Sequence, residues 1–302
     1  MRLRLVPEKT EIDFFRHYKV FLGASILAMI ASLALFLIMG LNYGIDFRGG
    51  TLILAETEER RPVAEFRAVL TDLDLGEVAV TEVSDPAGTA RNAVLMRVGI
   101  TGEDPDAQAE IVAAMQDALN AAFSTISYLQ VDSVGAKVSG ELVRAGVMAI
   151  LTAIVAILFY IWLRFEWQFS VAAVAALVHD VVLTIGVFSL LQLEFNLAII
   201  AAILTIVGYS LNDTVIVFDR VREILRKFKK TQLVEVLNLS INETLSRTVM
   251  TSGTNLIALF ALYFLGGEVI RGFTFAMIWG IVFGTYSSIW VASSILLQLG
   301  VK

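Results

Sequence analysis

Asp213 sits inside an apolar run at 196–218, within the stretch Ile206-Val-Gly-Tyr-Ser-Leu-Asn-Asp-Thr-Val-Ile-Val-Phe-Asp-Arg220. The run is long enough to cross a bilayer, and a carboxylate at that depth costs roughly 3 kcal/mol on insertion scales. At 100° per residue Thr205, Tyr209, Asn212, Asp213, Asp219 and Arg220 fall on one helical face, a polar stripe that must meet other helices or water and not lipid. The next run opens Ser246-Arg-Thr-Val-Met-Thr-Ser-Gly-Thr-Asn255, and Arg247, Thr251, Thr254 and Asn255 share a face at i, i+4, i+7 and i+8. If the two runs are antiparallel neighbours, Asp213 and Arg247 match in depth to within roughly 10 Å. The chemistry this pattern suits is proton transfer. Desolvation and the charge of Arg247 act in opposite senses on the protonation of Asp213. An ion pair at 4 Å is worth about 4 kcal/mol at an effective dielectric of 20, and protonation removes it. One charge moved through 100 mV supplies about 2.3 kcal/mol, so a proton gradient can drive such a switch. The same residues fit a static pair, or a network of Asp213, Asn212 and Tyr209 that only fixes helix register. Asp180, beside His179 and one turn before Thr184, is a second acid in an apolar run. It extends a relay or hydrogen-bonds a neighbouring helix, and the residues alone do not choose.

Other chemistries are set aside. The chain has no cysteine and only two histidines, His17 and His179, so thiolate chemistry is absent and a zinc site lacks ligands. No metal or cofactor is expected. Neither Gly-x4-Gly-Lys-Ser/Thr nor His-Glu-x-x-His occurs. An intramembrane aspartyl protease could pair Asp180 with Asp213, but the Gly-x-Gly-Asp such enzymes carry reads Ser210-Leu-Asn-Asp213 here. The chain is not expected to be an enzyme.

The elements that must position these residues are six runs, at about 20–40, 145–163, 169–191, 196–218, 249–266 and 273–299. Each is long enough to be read as a span. They explain a composition 57% hydrophobic and 17% charged, with mean hydropathy +0.75, where soluble domains are nearer half apolar and a quarter charged. The expected layout is an N-terminal segment at 1–19, a first span at 20–40, a soluble domain at 41–141, and five spans within 142–302 with a basic segment at 219–247. The first run is too long for a signal-peptide core and reads as a retained anchor. Arg2, Arg4, Lys9, Arg16 and Lys19 precede it, Arg164, Lys229, Lys230 and Lys302 fall on the same side, and the short opposite connections carry only Arg271. The bias places both termini in the cytoplasm. Trp162 and Trp167 suit an interfacial belt, and Arg222 to Lys230 reads as a basic amphipathic piece along an anionic leaflet. Lipid accounts for that patch without nucleic acid. Gly280-x-x-x-Gly284-x-x-x-Ser288 is a small-residue ridge for close helix approach, within the bundle or against a partner subunit.

Residues 41–141 differ in kind, with 17 acidic and 7 basic residues. Alternation marks strands at 51–56 and 77–83 with a helix at 63–73 between them. A third strand at 91–100 follows the Asp85-Pro-Ala-Gly88 turn, Asp104-Pro-Asp106 opens a helix to about 123, and 126–134 closes as a fourth strand. The order βαββαβ is the ferredoxin-like plan. The fold class is thus an α-helical polytopic membrane protein with an α+β ferredoxin-like extracytoplasmic domain after its first helix.

Gly44-Ile-Asp-Phe-Arg-Gly-Gly50, directly after the first run, resembles the first-span signature of the SecF family of bacterial membrane proteins. Residues 207–223 are similar to that family's fourth-span signature, and Ser246-Arg-Thr with Thr251-Ser-Gly-Thr-Asn255 to its fifth. The resemblance covers essentially the whole chain. It implies half of an assembly similar to the resistance-nodulation-division exporters, made with SecD in the bacterial inner membrane. That assembly works with the SecYEG channel on translocating preproteins, using the proton-motive force. The resemblance further implies proton passage at Asp213 and Arg247. Gly44, Asp46, Arg48, Gly49 and Gly50 match the family's first-span signature, and a tight, structured exit from the membrane is a sufficient physical reading of them. Two other readings stay open: half of a small-molecule exporter, and a passive scaffold whose buried charges hold the bundle together.

Overall fold

A computed structural model describes residues 10–73, 75, 78–83, 92–99, 105–228 and 231–301. Arg2, Arg4, Lys9, Lys229, Lys230 and Lys302, the turn at 85–88, and the element ends expected at Glu77, Arg91, Ile100 and Asp104 lie outside the described residues. The first helix, α1 (Tyr18–Met39), stops at Gly40, whose φ of 67° suits a residue without Cβ. Next come β1 (Asn42–Tyr43), the one-turn α2 (Ile45–Arg48), β2 (Gly50–Thr57), α3 (Val63–Thr71), β3 (Val78–Val83), β4 (Ala93–Val98), α4 (Pro105–Ala122) and β5 (Ile126–Val134). Strands β2 to β5 form one antiparallel sheet in the order β3-β4-β2-β5, the split-βαβ arrangement. Period-two alternation sends Ile53, Ala55, Val94, Met96 and Val98 into one core with Phe66, Leu70, Met115 and Leu119, where Phe66 stacks on Phe123 at 4.3 Å. Leu52, Leu54, Leu95 and Arg97 fall on the other face, toward the bundle.

The remaining elements are α5 (Ala136–Arg164), α6 (Trp167–Leu191), β6 (Glu194–Phe195), α7 (Leu197–Lys227), α8 (Leu233–Leu265), α9 (Glu268–Tyr286), a π-helical segment (Ser287–Ala292) and α10 (Ser293–Leu299). Among the described residues six helices are long and apolar enough to cross a membrane, with α9, the π segment and α10 forming the last. The chain is a multi-pass membrane protein. Its centre is α6, α7 and the last span, while α1, α5 and α8 flank it and leave large apolar side chains such as Ile38, Phe159 and Ile257 exposed. An all-round apolar surface of this kind suits lipid or another apolar helix.

Two expectations are corrected. First, α5 begins at Ala136, five residues before the expected end of the soluble domain at 141, because the polar start of the helix continues its turns beyond the apolar run. Second, α7 runs unbroken through Arg222, Arg226 and Lys227, so this basic stretch is the protruding end of a membrane helix and not a separate helix lying along a leaflet. Ion pairs along the helix favour continuation: Arg220 with Glu223, and Glu223 with Lys227 at 2.7 Å. At the same end Arg220 also bonds Glu243 of α8. The N-terminal segment is strapped to α8 there. Asn242 accepts the Ile12 N–H (2.9 Å) and donates to the Ile12 carbonyl (2.8 Å), and one turn earlier Asn238 accepts the Phe14 N–H (2.9 Å).

Candidate functional site

At the centre of the bundle α6, α7 and the π segment meet around Asp180, whose residue is 1% exposed. One carboxylate oxygen bonds His179 Nδ1 at 2.9 Å. The other accepts from Ser210 Oγ of α7 at 2.6 Å and from Ser287 Oγ of the π segment at 2.8 Å. Thr184 Oγ1 donates to the Asp180 carbonyl at 2.8 Å, within its own helix. The extra residue per turn of a π segment turns consecutive side chains toward different neighbours. Ser287 points to Asp180, and Ser288 bonds Thr214 Oγ1 at 2.8 Å, next to Asp213. Two glycines allow this approach. A Cβ on Gly280 would overlap the Ile206 side chain, and one on Gly284 would stand 3.0 Å from Ser210 Cβ. Both glycines and Ser288 therefore lie against α7.

Asp213 is placed differently. It is also 1% exposed, yet neither carboxylate oxygen has a hydrogen-bond partner among the described residues. The charge that reaches it is that of Arg247 on α8, without an ion pair at contact distance among the described residues. An acid buried without a bond is costly, and such a group in a native fold needs an explanation. The expected stripe on α7 is split. Asp213 turns into the bundle, Tyr209 is half-buried, and Thr205 and Asn212 are exposed, because the stripe straddles the edge of the helix's packing face. Arg247, Thr254 and Asn255 of α8 are exposed as well, and Thr251 is half-buried. Tyr209 bridges the helices, accepting from Asn255 Nδ2 at 3.2 Å and donating to Ser252 Oγ at 3.4 Å, which in turn bonds Thr285 Oγ1 at 2.8 Å. Thr251 and Thr254 donate back to carbonyls of their own helix. Asp213, Arg247, Asn255 and Tyr209 thus gather on one α7–α8 seam, while Asp180 belongs to a neighbouring cluster that meets α7 at Ser210, one turn before Asp213.

The exit motif after α1 forms a joint with the α6–α7 connection. β1 pairs in parallel with β6, Asn42 opposite Glu194 and Tyr43 opposite Phe195. Asp46 Oδ2 accepts the Leu197 N–H at 2.8 Å and so caps α7 from 151 residues away. A Cβ on Gly44 would come within 2.7 Å of Glu194 Oε1, and Gly49 and Gly50 have φ of 73° and 123°, where a side chain is strained. Arg48 is exposed and ends α2.

Residues 111–302 match the C-terminal family of the protein export membrane proteins SecD and SecF, and residues 34–59 match the SecD/SecF GG motif. The chain belongs to the SecD/SecF family. It is 51% identical over 301 residues to the protein translocase subunit SecF of Cereibacter sphaeroides, covering 99% of this chain and 93% of that one. It is also 51% identical over 306 residues to the SecF of Rhodobacter capsulatus, covering 99% and 92%. A crystal structure of SecDF from a Thermus species, a translocon-associated membrane protein, superposes with a TM-score of 0.85 at 35% identity. The match covers 99% of this chain but 40% of the SecDF chain, so this chain spans two fifths of that longer protein.

For a SecD/SecF protein the sequence reading left out several residues that build the centre. Ser210, Thr214 and Ser287 bond across helices, and single hydroxyls in apolar runs carry no signal of their own. Glu194 and Arg97 were missed because each is an ordinary charged residue outside the spans. The only available hint was the crowding of small and polar residues in Gly284-Thr-Tyr-Ser-Ser288.

Proposed function

We propose that this chain is a SecF-type subunit of a proton-motive-force-driven complex that works with SecD and the SecYEG channel on preproteins crossing the bacterial inner membrane. Both termini lie in the cytoplasm and the sheet domain lies outside. The chain acts by moving helices and performs no covalent chemistry. One observation carries this reading: Asp213, buried in a span without a hydrogen bond among the described residues, faces the charge of Arg247. Proton binding at Asp213 cancels its attraction to Arg247 and frees α7 to shift against α8. Asp180 takes the fixed role, since its bonds to His179, Ser210 and Ser287 hold α6, α7 and the last span together. The exposed polar strip of Thr205, Asn212, Arg247 and Asn255 supports a partner subunit on that side, because such groups are unfavourable against lipid.

The test is Asp213→Asn, which keeps the shape and removes the titratable group. With the complex assembled in proteoliposomes, the expected result is loss of proton uptake and of gradient-stimulated preprotein export. Retention of both in a folded variant would refute the relay. Drug efflux without an export defect would favour the small-molecule exporter instead.

A further inference from the structure

The start of α7 is tied to the sheet domain by two carboxylates that the relay does not use. Asp46, four residues before the first residue of β2, caps α7 at Leu197. Glu194, in the five-residue connection between α6 and α7, forms an ion pair with Arg97 of β4. Both side chains of this pair are about three-quarters shielded from solvent. The pair bridges a cleft of about 560 Å³ between the open face of the sheet and the end of the bundle, with Leu52, Leu54 and Leu95 on one wall and Phe273 and Phe275 on the other. Behind it the joint is stiff. β1 and β6 pair, Gly44 N–H donates to the Phe195 carbonyl at 2.9 Å, and Tyr43, Phe47, Phe188 and Phe195 pack ring to ring at about 6 Å.

We infer that Asp46, Glu194 and Arg97 are positioning residues that fasten the sheet domain to the head of α7, so that displacement of this helix is passed to the sheet. The inference rests on the relay reading for what moves α7, but the fastening stands on the geometry alone. α7 is a single unbroken helix from Leu197 past Asp213, and a rigid rod passes a tilt at one end to the other. The charges facing Glu194 are Arg97 from the sheet, Asp46 from α2 and Glu268 from α9, the last paired with Arg271. Arg97 is thus the sheet's cation opposite Glu194, while Arg271 stays with Glu268. Without Arg97 the buried Glu194 loses its partner and the sheet comes loose.

The chain has no cysteine, so spin labels can be placed on Thr81→Cys and Val269→Cys, which line opposite sides of the cleft, in the full chain in lipid nanodiscs. The expected resting result is one narrow distance. In Arg97→Ala that narrow distance is lost at neutral pH and returns in acid, where Glu194 takes up a proton. Exchange of the two charges, Arg97→Glu with Glu194→Arg, restores it at neutral pH. An unchanged distance in Arg97→Ala would overturn the fastening, and so would failure of the exchange in a folded variant. A second arm adds Asp213→Asn. The expected result is a shifted distance in the parent and no shift in Arg97→Ala or Asp46→Ala. If both of those still follow the parent, transmission through the joint is overturned. If the parent itself does not shift, the relay reading fails, while the resting distances still judge the fastening.

Discussion

At the scale of single residues, the two buried acids have opposite environments and opposite roles. Asp180 has every oxygen engaged, whereas Asp213 has none engaged among the described residues. A carboxylate held by three side chains is a pin, and one held only by a distant charge is free to change its protonation. The two roles predict different variants. Asp180→Leu strands the Ser210 hydroxyl and the His179 Nδ1 in the core, at about 1–3 kcal/mol each. Thermal unfolding in detergent should show a lower midpoint, and an unaltered midpoint would remove the pin. Arg247→Gln should abolish gradient-driven export much as Asp213→Asn does, without lowering that midpoint. Because the two act on one event, the double variant should be no worse than either single one, a result read from export rates as a thermodynamic cycle.

At the scale of elements, stability depends on how closely helices approach and on what straps them. Gly280 lies against Ile206, so Gly280→Val overpacks the contact between α7 and α9 and should cost about 1–3 kcal/mol. The measurement is again the unfolding midpoint, with Gly23→Val as control, since nothing lies within 4 Å of a Cβ there. The N-terminal strap on α8 has its own pH signature. The Asn238 side chain is the main cause that holds the Asp13 carboxyl below its ordinary 3.8, helped by the Phe15 and Arg16 N–H groups. A lowered value means that its contribution is present above 3.8 and lost as pH falls through the folded value. Amides of Phe15 and Arg16 should therefore exchange slowly at pH 6 and lose protection in strong acid. Asn238→Ala should lose that protection at every pH.

At the scale of the whole molecule, two surfaces remain to be matched. One is the strip of Thr205, Asn212, Arg247 and Asn255, polar and exposed along membrane helices. A cysteine at Asn255 should react with a water-soluble maleimide in the lone subunit and be shielded once a SecD chain is co-assembled. Equal labelling in both would move the partner elsewhere. The other is the contact of the sheet with the bundle. Burial raises the Glu194 carboxyl above its ordinary 4.5, Arg97 opposes this, and Asp46 and Glu268 add to it. A raised value means the docked form binds the proton better than the undocked form. Its contribution to docking is thus fully present below 4.5 and falls as pH rises through the raised value. In Arg97→Ala, where the opposing charge is gone, docked occupancy read from the labelled cleft should increase toward acid, and the reverse trend would contradict this balance.

The strands near 51–56 and 126–134 and six apolar runs were legible in the sequence because periodicity and hydropathy are local properties, set by neighbours within a few residues. Asp213 was legible for the same reason, since the cost of a charge in hydrocarbon depends on depth and not on partners. The helical ends of α5 and α7 were not, because helix continuation beyond the membrane depends on side-chain pairs and on what the chain meets next. The companions of the acids were hidden too. Ser210 is 30 residues from Asp180, and Ser287 is 107. Only tertiary packing decided that Asp180 would be bonded and Asp213 left without a bond among the described residues. Which face of a helix turns inward is settled by the shapes of its neighbours, here two glycines and a π segment that let hydroxyls reach one acid and stop short of the other.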